Sequence, residues 1–148
     1  MKIPDKIVKD ITLLARAEKW VELRSFFTYA LNEDEWAAKC IAWCRFFLPR
    51  MFSDPTPEFH FDLVKRLLSK KNEFVACPRG FSKTTLAQGV MCFMGAHRLR
   101  NFIVIVEKSF TEAAEVLSVV REKFTDNSRV LGVYGRLSKV DEMGVLLT

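Results

Sequence analysis

Apolar residues in the first fifty positions recur at helical spacing. Ile7, Ile11, Leu14 and Ala15 share one face, "VELRSFFTYALN" continues the pattern, and a third run is the most regular. With Asn32 as its cap, Trp36, Ala37, Cys40, Ile41, Cys44, Phe47 and Leu48 line one side of that run, while Lys39 and Arg45 fall off it. A helix packed on a core explains such a stripe better than a partner-binding face. The period changes at "SDPTPEF", where two prolines and an aspartate mark a connector. A seam near residue 55 is expected, dividing a helical segment, 1–54, from a second region, 55–148.

Beyond the seam the pattern alternates. A helix is predicted from Glu58 to about Ser69, a strand over Glu73 to Cys77, and then a loop. A helix from Thr84 to about His97, a strand over Asn101 to Val106 and a helix from Thr111 to Thr125 follow. The strands "FVAC" and "FIVIV" are short continuous apolar runs, as in sheets covered on both faces. The expected fold is therefore α/β, a parallel sheet with flanking helices and right-handed crossovers, preceded by an all-helical segment. The helix after the loop is apolar nearly all round, and the next is amphipathic, with Ala113, Leu117, Val120 and Phe124 on its packed side. After Asn127 the pattern weakens, and "GVLLT" reads as a strand barely begun, so the sheet is expected to be incomplete.

Composition narrows the class. The 148 residues are 49% apolar and 28% charged, the balance of a folded domain with one main core. No apolar run approaches the ~20 residues that cross a bilayer, and the charged opening "KIPDKIVKD" is unlike a secretory leader, which points to a cytoplasmic location. The cysteines at 40, 44, 77 and 92 lack neighbouring histidines for a zinc set and are expected to be buried free thiols. A net charge of +5 permits a polyanionic partner without demanding one. Lys65, Arg66, Lys70 and Lys71 form a basic cluster that reads as a solvated helix face before it reads as a DNA contact. Arg98 and Arg100 follow a helix end, where the macrodipole favours cations.

The chemistry concentrates in "FVACPRGFSKTTLAQ". Lys83-Thr84-Thr85 resembles the close of a phosphate-binding loop, yet the usual glycines are replaced by Cys77 and Ser82. Glycine serves there because the backbone curls its N–H groups around phosphate oxygens, which needs unusual dihedrals and leaves no room for side chains. Gly80 keeps one permissive position, and serine is small. On these residues alone, a nucleotide site and an ordinary turn into a helix both remain open.

"PRGFSKTT", followed by "FIVIVEKSFTEAA", resembles the first two motifs of the ATPase domain of phage terminase large subunits, the motors that package viral DNA. Arg79 stands four residues before Lys83, as in that family's deviant loop; "PEFHFDLVKRLL" is similar to its "PxxFH" helix, and Lys108-Ser109 with Ala113 or Ala114 to its turn after the second strand. The resemblance covers about residues 55 to 125. It implies a P-loop ATPase that binds Mg-ATP. Lys83 would lie between the β- and γ-phosphates, Thr84 would offer its hydroxyl to Mg²⁺, and the N–H groups of Gly80, Phe81, Ser82, Lys83 and Thr84 would form the cradle, with Thr85 beside it. Arg79 would act with Lys83 in catalysis by reaching the γ-phosphate, or else brace the loop on a carboxylate; Phe59 and His60 would border the adenine, or simply open a core helix.

The implied partners are double-stranded DNA, a portal protein and a small terminase subunit, in a ring of copies at the procapsid in the host cytoplasm, with no membrane. Ser82 departs from the glycine of many relatives. The family's Walker B carboxylates and nuclease domain have no counterpart here, since Asp141 and Glu142 precede an apolar run rather than follow one. The chain is therefore expected to be an N-terminal piece of such a motor. The rival expectations are a helicase-like or kinase-like P-loop protein, and a non-catalytic binding module or remnant.

Overall fold

The computed structural model describes residues 2–69, 76, 78–100, 103–135, 139–140 and 146–147. Three helices occupy the first third: α1 (Asp5–Arg16), α2 (Trp20–Thr28) and α3 (Glu33–Phe47). Asn32 caps α3, its side-chain oxygen accepting the Glu35 N–H at 2.9 Å, and three acids fill the first turn, where the helix dipole favours them. Then come α4 (Glu58–Leu68), α5 (Lys83–Ala96), α6 (Phe110–Thr125) and α7 (Ser128–Tyr134).

The expected parallel sheet is absent among the described residues. Among the described residues the one ladder is a two-residue antiparallel pair, β1 (Lys139–Val140) with β2 (Leu146–Leu147), and everything else regular is helical. Of the two predicted strands, residues 73–75 and 77 lie outside the described residues, as do 101 and 102. Residues 103–107 carry no regular structure, and Val104 and Val106 are 63% and 85% exposed. The reason lies in what holds a strand. A helix satisfies its own backbone, whereas a strand obtains hydrogen bonds only from a neighbour, and an apolar run without one has no ladder to join. The fold is thus helical where the local pattern suggested α/β.

One hydrophobic cluster runs through the helices, with residues from both sides of position 55. Helix α3 packs against α4 and α5, α5 against α6, and α7 against α2 and α6. Trp43, Phe27, Phe47, Phe61 and Phe93 are fully buried at its centre, each contributing about 2–3 kcal/mol from apolar area removed from water. Their rings meet mostly edge to face, as between Trp43 and Phe93 at 5.8 Å and 75°.

Lys39 departs from the helical-wheel reading. It is 5% exposed, with its ammonium donating to the Tyr29 carbonyl at 2.6 Å, 3.1 Å from the Glu35 carboxylate and over the Phe26 ring. The Leu31 N–H and then Lys39 hold the Glu35 carboxyl below its ordinary value. Leu117 departs in the other direction: it is exposed, and on α6 only Val120 is fully buried.

Cys40, Cys44 and Cys92 are buried free thiols, and Cys77 lies outside the described residues. Burial pushes the Cys92 thiol up to about 12 and raises Cys44 well above its ordinary value, which favours the protonated thiol at both. Among the described residues no helix is long and apolar enough to cross a membrane.

Candidate functional site

The phosphate-loop candidates come together at the start of α5. Pro78 leads into a turn at Arg79 and Gly80, and Lys83 is the first helical residue. Gly80 has φ 83° with open space around the position a Cβ would take, so the glycine serves backbone conformation rather than clearance. Ser82 also lies in the left-handed region, at φ 51°, a conformation that costs a non-glycine residue roughly 1 kcal/mol. The unusual dihedrals that motivate glycine in such loops are therefore present, one of them on serine.

The turn and the first helical residues, Arg79 to Thr85, line a shallow concavity of about 480 Å³. At the N-terminus of α5 the backbone N–H groups lack intrahelical acceptors, and the helix dipole adds positive potential. Ser82 makes no side-chain cap bond, so its hydroxyl does not take over one of those donors. Lys83 folds back, donating from Nζ to the Pro78 carbonyl at 2.6 Å, which places its charge over the loop. Arg79 and Thr84 are exposed, and Thr85 is half-buried.

Phe59 and His60, on the first turn of α4, meet the loop itself. His60 donates from Nε2 to the Phe81 carbonyl at 3.1 Å, and the Phe59 and Phe81 rings lie 5.0 Å apart. A second pocket, of about 210 Å³, opens between the 51–57 connector and the loop, with Asp54, His60, Ser82 and Thr85 among its lining residues.

The remaining candidates are drawn elsewhere. Ser109 accepts the Glu112 N–H at 3.3 Å and Lys108 pairs with Glu112 at 3.0 Å, so the pair caps α6 instead of ending a strand. "SFTE" carries the S-x-x-E spacing of a helix start, the signal that would have found it. Lys65 is bound to Asp34 and to Asp62, each at 2.9 Å, and these partners raise its pKa, so it is no open phosphate contact. Lys70 and Lys71 lie outside the described residues. Arg100 donates to the Leu68 and Ser69 carbonyls at 3.0 Å, closing the end of α4 rather than of α5.

Sequence reasoning passed over Gln88. It is 8% exposed, and its amide makes no hydrogen bond to a described residue. It stands one turn beyond Thr84 on α5 and lines neither of the two pockets beside the loop. A buried amide without a partner costs about 1–3 kcal/mol. Its signal was a lone amide in a helix otherwise apolar nearly all round.

For a metal, the chain offers the Thr84 hydroxyl and, among the described residues, no cluster of three acidic, histidine or cysteine side chains. Comparison of the chain with protein-family models, with curated proteins and with solved structures gives no match in any of the three.

Proposed function

We propose that this chain binds a nucleoside triphosphate, as Mg-ATP, in the concavity formed by Arg79 to Thr85, and that it serves a DNA-packaging motor of the kind its loop motif resembles. The observation that supports the reading most directly is the backbone of the turn. Two left-handed residues, Gly80 and Ser82, precede a fourteen-residue helix that opens on Lys83, an arrangement that presents N–H groups and a cation to one small volume. Lys83 would exchange the Pro78 carbonyl for phosphate oxygens, Thr84 would place its hydroxyl on the Mg²⁺ that arrives with them, and Arg79 would stand at the rim as a charge stabiliser. The reading rests on the loop and α5 and asks for no parallel sheet. Double-stranded DNA, a portal protein, a small terminase subunit and a ring of copies belong to it through the resemblance alone.

Among the described residues no carboxylate lines the concavity. Hydrolysis needs an acid to hold the metal and a carboxylate or its equivalent to orient water, so the chain by itself should bind without turning over. Thermal unfolding with and without Mg-ATP tests this: the wild type should gain stability with ligand concentration, Lys83→Ala should lose that gain while keeping its ligand-free melting temperature, and neither should release phosphate above background. Equal stabilisation of both proteins would remove Lys83 from the site, and no stabilisation of either would end the nucleotide reading.

A further inference from the structure

The loop has two distinguishable sides. One is the concavity walled by Arg79 to Thr85. The other is turned toward α4, where His60 holds the Phe81 carbonyl at 3.1 Å and the Phe59 ring lies 5.0 Å from that of Phe81. Phe59 and His60 are themselves in edge contact at 4.4 Å and 70°, so the imidazole is steadied by its neighbour.

This fastening acts on one particular peptide plane. The described peptide bonds are trans, and in a planar trans peptide the C=O of one residue and the N–H of the next point in opposite directions. Drawing the Phe81 carbonyl toward α4 therefore turns the Ser82 N–H away from α4. The next residue is the one at φ 51°, a conformation a serine holds only when its surroundings impose it. His60 is an external group, twenty-one positions back in the chain, that supplies such a hold.

We propose that His60 is a positioning residue of the phosphate site: by fastening the Phe81 carbonyl to α4 it aims the Ser82 N–H into the concavity, toward a phosphate oxygen of a nucleoside triphosphate. This rests on the nucleotide reading above. It assigns His60 a task distinct from bordering the base, since the imidazole N–H is spent on the loop, and it makes α4 part of the phosphate site through its first turn.

The test is calorimetric titration of the purified chain with Mg-ATP in wild type, His60→Ala and His60→Gln, with far-UV circular dichroism of each ligand-free protein. Removing one neutral hydrogen bond should weaken binding about three- to tenfold in His60→Ala. His60→Gln, which retains an N–H donor of similar reach, should return to within about twofold of wild type. A purely structural role for the ring would not be rescued by an amide, so a glutamine variant as weak as the alanine one overturns the proposal, and so does an alanine variant that binds like wild type. Should His60→Ala not fold, the Ser82 amide resonance of the wild type decides: it must move downfield on adding Mg-ATP, and an unmoved resonance in protein that binds the nucleotide overturns the assignment. A wild type that binds no Mg-ATP is a different result, and it ends the nucleotide reading together with this one.

Discussion

The indole N–H of Trp43 donates to the phenol oxygen of Tyr134 at 2.8 Å, tying α3 to α7 across ninety-one positions of chain. The chain of bonds continues. Tyr134 and His97 Nε2 are 2.8 Å apart, and His97 Nδ1 lies 2.8 Å from the Phe93 carbonyl. A carbonyl only accepts, so Nδ1 carries the proton, Nε2 accepts from the Tyr134 hydroxyl, and the imidazole is neutral. Every polar atom of the three rings is thereby paired inside the aromatic core, which fixes where α7 docks.

This network makes stability depend on acid. Burial pulls the His97 pKa down to about 4, from 6.5, with the Phe93 carbonyl opposing; Tyr134 is the titratable group facing it, and Arg24 is the charge that acts on Tyr134. Above pH 6.5 both folded and unfolded chains hold the imidazole neutral. As pH falls the unfolded chain takes up a proton that the folded one refuses, so His97 removes up to about 3 kcal/mol between pH 6.5 and 4. Urea unfolding across that range should show the loss, and His97→Gln should flatten that part of the profile. Tyr134→Phe, at pH 7, should cost about 1–3 kcal/mol, because it leaves the Trp43 N–H and His97 Nε2 unpaired.

Lys39→Ala should be among the more damaging single changes on α3. It deletes the donor to the Tyr29 carbonyl and the cation beside Glu35, whose side chain is 26% exposed and so keeps some contact with water. A loss of about 2–3 kcal/mol is expected, below the full cost of orphaning a wholly buried charge. Lys39→Met, which keeps the stem packed on Phe26 and Glu35's access to water, should recover part of it. Chemical denaturation of the two variants checks the order.

Gly89→Ala should destabilise despite alanine's better helix propensity. A Cβ there would lie 2.5 Å from the end of the Phe52 ring and 3.0 Å from Cys44 Sγ. Overpacking of about 1–3 kcal/mol outweighs the roughly 1 kcal/mol gained in propensity. Phe52→Leu in the same chain should relieve most of the defect, since it withdraws the ring atoms that the new methyl meets. A Gly89→Ala protein that melts higher than wild type would show that Phe52 swings aside freely.

The local elements were legible in the residues themselves. Asn32 with three acids behind it starts α3, "PEF" opens α4, and Lys83 follows a glycine-bearing turn; caps and helical periodicity are short-range properties, satisfied within a few residues of chain. The loop candidates were likewise identifiable from adjacent residue types. What the residues near "FIVIV" could not decide is whether they become a strand, because a strand's hydrogen bonds belong to a partner elsewhere in space. For the same reason the pattern placed Lys39 off the packed face, when the Tyr29 carbonyl and Glu35 make its burial tolerable, and it left α7 unread, since a seven-residue helix is held by Tyr134 and by Asn127 on the Phe47 carbonyl rather than by its own turns. His60 was visible as a candidate; that its N–H is committed to Phe81 was settled only when tertiary packing brought α4 against the loop, a contact between groups whose spacing in sequence carries no information about distance.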